Sequence, residues 1–258
     1  MIASVPASGS ASSAPRKIAI VVHQDQSRAG RVGALLEAKG YALERYCPNL
    51  GCQLPDDPSR FAGVVVFGGP MSANDCGVSD GIRRELAWIP KVLDSGVPFL
   101  GICLGAQMLT RVVGGRVAPH REGRVEIGYA RVEPTAAGAP WFPDGPMHVY
   151  QWHREGMDVP SCCETLATGE TYPVQAFRFG RAAFGVQFHP EVTLEMKRIW
   201  TTKAADRLTL PGAQPGDEHI GRHDEFDPQL GRWTDRFLDG WLATGRAVEA
   251  PSPRLAAE

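Results

Sequence analysis

The chain has 258 residues, of which 43% are apolar and 22% charged, with a formal net charge of −2; this suits one large α/β domain or two small ones with a substantial core. No clustered Lys/Arg tract accompanies the near-neutral charge, so nothing draws the chain to nucleic acid, and no apolar run approaches the roughly 20 residues that cross a bilayer. Residues 1–15 are rich in Ala and Ser, lack the basic and apolar regions of a signal peptide, and are expected to form a disordered leader. Six cysteines in a chain of this length point to reduced thiols in the cytoplasm.

Residues 17–23 (KIAIVVH) are a short β-branched run and predict the first strand. Residues 28–39 predict a helix through Val32, Leu35 and Leu36, with Gly40 as its stop. Residues 41–46 alternate and predict a second strand. Residues 61–67 (FAGVVVF) form a continuous apolar run, as expected for a strand covered on both faces, and Gly68-Gly69-Pro70 ends it. Residues 82–94 predict a helix with Ile82, Leu86, Ile89 and Leu93 on one side, and 97–102 the next strand. A sharp turn at Cys103 leads into an amphipathic segment over 106–113.

Alternating strands and helices imply a parallel sheet with right-handed crossovers, whose site lies beyond the carboxyl ends of the strands. After Gly115 the pattern changes. Short strands are predicted over 125–132, 147–152, 164–167, 175–179 and 183–188, a strand-rich and partly antiparallel region. A helix over 194–208 is capped by Thr193, a Pro/Gly stretch at 211–216 breaks it, and a last helix falls within 226–242. The fold class is α/β: a mixed, mainly parallel sheet of flavodoxin-like type with flanking helices and a small antiparallel strand region. Residues 16–245 read as one domain with a C-terminal helical extension, and 246–258 as a disordered tail.

Gly101-Ile102-Cys103-Leu104-Gly105 has the strand–turn–helix setting of a nucleophile elbow, written with Cys in place of Ser. The flanking glycines leave room for a strained nucleophile, and the N–H groups of a helix start favour a thiolate and an oxyanion. The partner base is read as His189, at the end of the apolar run 184–188. Glu191, two residues on, points to the same side and orients the imidazole, with Pro190 restricting the backbone between them. Together they form a Cys–His–Glu arrangement. Cys47 with Cys52, and Cys162 with Cys163, fit no zinc spacing. His219 and His223 have helical i, i+4 spacing, but their polar, Gly- and Pro-punctuated setting reads as a solvated loop. No metal and no cofactor are called for.

Gly101-Ile102-Cys103-Leu104-Gly105-Ala106-Gln107, Gln187-Phe188-His189-Pro190-Glu191 and Gly68-Gly69-Pro70 together resemble the class I glutamine amidotransferases over about residues 17–208. The stretch Gly68 to Asp75 looks most like stand-alone proteins similar to the amidotransferase domain of GMP synthase. The resemblance implies a Cys103 γ-glutamyl thioester, His189 as acid and base, Glu191 as its orienter, and oxyanion donors at Gly69 and Leu104. It further implies substrate contacts at Gln107 and Gly68. Gln151 to Glu155 falls where the family often has a His-x-Asp segment beside the substrate, which adds Gln151 and His153; here the acid is Glu155.

Three readings of the function remain open. One is a glutaminase that passes ammonia to an acceptor or to a separate synthetase chain. Another is a stand-alone hydrolase of γ-glutamyl peptides or amines. The third is an inactive amidotransferase-like binding module. An α/β-hydrolase fold is disfavoured, because it places its acid before the histidine in chain order. Glutamine or a γ-glutamyl compound is the expected substrate, with no nucleic acid and no membrane as partner.

Overall fold

The computed structural model describes residues 16–245. The expected disordered leader (1–15) and tail (246–258) lie outside the described residues.

Five strands make the parallel half: β1 (Lys17–Val21), β2 (Ala42–Tyr46), β3 (Gly63–Val66), β4 (Phe99–Ile102) and β11 (Ala183–Val186). Between β4 and β11 the chain makes β5 (Arg116–Pro119), β6 (Glu126–Pro134), β7 (Met147–His153), β8 (Glu155–Asp158), β9 (Cys163–Gly169) and β10 (Ala176–Phe179). The main sheet runs β2-β1-β3-β4-β11-β10-β9-β6-β7, and β5 pairs with β8 in a separate antiparallel ribbon. Neighbours from β2 to β11 pair in parallel, and those from β11 to β7 in antiparallel fashion. The start, 2-1-3-4, is the flavodoxin-like order, which opens a crevice between β1 and β3 where the chain's winding reverses.

The apolar runs explain this placement. All residues of β3, β4 and β11 are buried, which requires cover on both sheet faces. Alternation sorts β1 between them: Ile18 and Ile20 join one core, Ala19 and Val21 the other. Helices α1 (Gly30–Ala38) and α6 (His223–Thr244) cover the first face. Helices α2 (Asp80–Asp94) and α3 (Leu104–Val112) cover the second. Helix α4 (Leu194–Lys203) follows β11, and Thr193 caps it by accepting from Met196 N–H, as the sequence predicts.

The structure departs from expectation in three places. Neither β5 (RVAP) nor β8 (EGMD) carries an alternating or β-branched run, so both were invisible to periodicity. Helix α4 ends at Lys203, and a 3-10 turn over Ala205–Thr209 takes its place to Thr209. The solvated loop expected around His219 and His223 is helical: α5 (Gly216–Gly221) leads directly to α6, and His219 is fully buried. The cause is the preceding residue pair. Ala213 bridges to Ile127, and the Gln214 side chain bonds Tyr129 N–H and C=O at 2.8 and 2.7 Å, docking the segment along β6. His219 then bonds the Tyr150 hydroxyl at 2.9 Å and the Gln214 carbonyl at 3.1 Å. All six cysteines are free. Among the described residues no helix is long and apolar enough to cross a membrane.

Candidate active site

Cys103 sits between β4 and α3 with φ 51° and ψ −104° and is the sole non-glycine with positive φ among the described residues. An L-residue in that conformation costs on the order of 1–3 kcal/mol. Two main-chain bonds impose it: Cys103 N–H donates to Val186 O at 2.8 Å, extending the β4–β11 ladder, and Gln107 N–H donates to Cys103 O at 2.9 Å, starting α3. The elbow also needs Gly105. A Cβ there would lie 2.1 Å from the Val66 carbonyl oxygen, so α3 approaches β3 this closely only without a side chain.

His189 lies three residues beyond β11, its N–H donating to Tyr150 O at 2.8 Å. Its Nδ1 bonds Glu191 Oε1 at 2.8 Å, and both side chains are buried. That leaves Nε2 for the thiol. Nε2 has no hydrogen-bond partner, and Cys103 shares its corner, since the Gly68 position lies against both side chains. Burial lowers the His189 pKa, but the Glu191 carboxylate and Cys103 raise it by more, to about 10. Gly68 packs into the same corner: a Cβ on it would meet His189 Cε1 at 2.7 Å and Cys103 Cβ at 3.5 Å. Leu104 is the first residue of α3, where a helix N–H has no partner within the helix. Strand ends thus bring Gly68, Gly69, Cys103, His189 and Glu191 to one cavity of about 330 Å³.

The remaining expected residues sit elsewhere. Gln107 is buried beneath the elbow and donates to Glu155 O at 2.9 Å. Gln151 bonds Gln175 at 2.6 Å. His153 bonds Glu126 at 2.8 Å and Glu155 O at 2.9 Å. None of these three lines the cavity; their side chains bond other buried groups. The spacing of the motifs marks where the chain passes the site, and cannot say which side of the strand each residue takes.

Sequence reasoning missed most of the wall. Gln24, Gln26, Ser27 and Arg28 supply one side from the loop after β1, and Met196, Ile199, Trp200 and Lys203 the other from α4. Trp200 stands edge-on to the His189 ring, with centroids 5.1 Å apart, and meets Trp152 at 5.5 Å. The available signal was position: the first group follows a parallel strand, and α4 follows the His-Pro-Glu turn.

A family model described as glutamine amidotransferase class-I matches residues 40–201. The glutamine amidotransferase-like protein YfeJ of Salmonella typhimurium is 30% identical over 187 residues, 69% of this chain and 77% of its own length. The chain belongs to the class I glutamine amidotransferase family. Within that family, the glutamine-hydrolysing GMP synthase of Marinobacter nauticus is 36% identical over 171 residues, which are 60% of this chain but 31% of the synthase. The chain therefore spans about a third of that synthase's length. The crystal structure of a glutamine amidotransferase from Thermotoga maritima superposes with a TM-score of 0.80 at 25% identity, covering 88% of this chain and 98% of that one.

Proposed function

We propose that this class I glutamine amidotransferase hydrolyses the side-chain amide of glutamine through a γ-glutamyl thioester on Cys103. The Cys103 thiolate attacks the amide carbon. The N–H groups of Gly69 and Leu104 hold the resulting oxyanion, each such donor being worth about 3–4 kcal/mol of barrier. His189, protonated on Nε2, gives its proton to the amide nitrogen, which leaves as ammonia as the C–N bond breaks, and then takes one from the water that attacks the thioester and releases glutamate. Glu191 fixes the ring through Nδ1 and stabilises its charge. The observation that carries this reading is the His189 ring, held by Glu191 on one nitrogen and left open toward a strained cysteine on the other.

The ammonia goes to an acceptor or to a separate synthetase chain, in keeping with relatives named as glutamine-hydrolysing synthases. Six free cysteines support a reducing, cytoplasmic setting. A second reading is favoured by the cavity itself. Beyond the catalytic corner, Trp152, Ile199, Trp200, Lys203 and Arg207 line further space, which suits a γ-glutamyl compound with an amine larger than ammonia. Glutamate release from L-glutamine and from γ-glutamyl anilides, with Cys103→Ser as control, tests both. Preference for glutamine supports the amidotransferase role, and preference for the anilide the hydrolase role. Release that survives Cys103→Ser refutes both, and no thioester with either substrate leaves the binding module.

A further inference from the structure

His23 follows β1 at the crevice between β1 and β3, is 1% exposed, and takes no part in the chemistry above. Its Nδ1 lies 3.0 Å from the Gly68 carbonyl oxygen and its Nε2 3.0 Å from Glu85 Oε2, on α2. The Glu85 side chain is likewise buried. The ring therefore faces an acceptor on each side, and beside an ionised carboxylate only the imidazolium, with two N–H donors, satisfies both. Burial lowers the His23 pKa, but the charge and hydrogen bond of Glu85 and the bond to Gly68 outweigh it and raise it. The side chain also lies close against the next residue: a Cβ on Gly69 would lie 2.8 Å from His23 Cβ and Cγ.

These contacts converge on one peptide unit. In a trans peptide the C=O and the N–H point in opposite directions across a rigid plane. The Gly68 carbonyl and the Gly69 N–H belong to the same plane, so a bond that fixes the first aims the second. Two successive glycines give this unit little resistance to rotation of its own. We propose that His23, itself held by Glu85, is a positioning residue that turns the Gly68–Gly69 peptide so that the Gly69 N–H faces the oxyanion forming at Cys103. This rests on the reading of Gly69 as an oxyanion donor. A buried ion pair is a costly way merely to fill space, since apolar side chains of similar volume do so as well or better; a directed donor is what the imidazolium adds.

His23→Ala removes both bonds at once and risks unfolding, so the test uses two amides that each keep one. An Asn side chain places its NH2 near the position of Nδ1 and keeps the bond to Gly68. A Gln side chain reaches toward Glu85 and loses that bond. For Cys103-dependent glutamate release from L-glutamine, His23→Gln should lower kcat by ~10²–10³-fold, the loss of one oxyanion donor, with KM within ~3-fold. His23→Asn should restore most of kcat. Alkylation of Cys103 by iodoacetamide, which forms no oxyanion, should be unchanged in both. Wild-type kcat in His23→Gln, or a loss equal in both variants and matched in alkylation, would overturn the proposal. Glutamate release that survives Cys103→Ser would instead overturn the amidase reading. The crystal structure of His23→Gln then decides the positioning role without any turnover: a Gly68 carbonyl swung from its wild-type direction, with Cys103 and His189 in place, supports it, and an unmoved carbonyl refutes it.

Discussion

At the scale of single residues, the site depends on charge placed where solvent cannot screen it. His189 and Glu191 are both buried and bonded at 2.8 Å, and the carboxylate helps hold the imidazolium to about pH 10. Glu191→Gln keeps the shape and removes the charge, so the His189 pKa falls. The alkaline limb of kcat/KM should move to lower pH, and kcat should drop roughly 10²-fold or more as the acid is lost and misaligned. Stability follows the same sign. A histidine whose folded pKa is raised stabilises the fold below its unfolded value near 6.5 and loses that contribution as pH climbs toward 10. Urea midpoints of wild type and Glu191→Gln should therefore differ more at pH 6 than at pH 10, and an equal difference at both would deny the charge effect. The residues of this corner were legible because the glycines around Cys103 and the spacing of His189 and Glu191 are sequence-local. Trp200, Arg28 and His23 were not, since their roles arise from contacts between distant segments.

At the scale of elements, one acidic side chain ties three helices to the His189-Pro190-Glu191 turn. Asp227 of α6 pairs with Arg31 of α1 and with Lys197 of α4, the latter at 2.7 Å. Arg31 in turn donates from its side chain to Pro190 O and from its backbone to Glu191 O, at 3.2 and 2.8 Å. Lys197 also bonds the Tyr129 hydroxyl at 2.6 Å. Asp227→Ala leaves the buried Lys197 and the part-buried Arg31 without their shared carboxylate and should cost about 3–5 kcal/mol. Lys197→Met removes one buried charge, while Asp227 keeps Arg31, and should cost less. Urea unfolding of the two variants ranks them, and a larger loss in Lys197→Met would contradict the shared role. The segments that make β1, β3, β4 and β11 were legible as short apolar or β-branched runs. The ribbon of β5 and β8 and the helix α5 were hidden, because tertiary pairing and the Gln214 side chain create them where local preference does not.

At the scale of the molecule, α6 seals the sheet face opposite the elbow helix. Trp233 and Trp241 are fully buried, and Trp241 lies so close over β3 that a Cβ on Gly63 would come within 2.6 Å of its ring. Trp241→Ala should cost about 3–5 kcal/mol, read as a lowered urea midpoint, while the rate of Cys103 alkylation below the transition stays at the wild-type value. A loss of thiol reactivity in the folded variant would mean that this face shapes the site directly. The strands β1 to β4 and the helices between them followed from periodicity, whereas β11, read within the partly antiparallel region, pairs in parallel with β4. The order in which the antiparallel strands join the sheet did not follow, because β9 and β6 pair across a long stretch of sequence.

The parallel order β1-β3-β4-β11 sets four segments from distant parts of the sequence side by side, ending in His23, Gly68, Cys103 and His189. During synthesis Cys103 leaves the ribosome about 86 residues before His189, an interval of several seconds at roughly 5–20 residues per second. Throughout it His189, the base proposed for Cys103, has yet to be made. The proposed pair needs β11 to lie beside β4, so the thiol and its proposed base meet only once the last of the four parallel strands is in place.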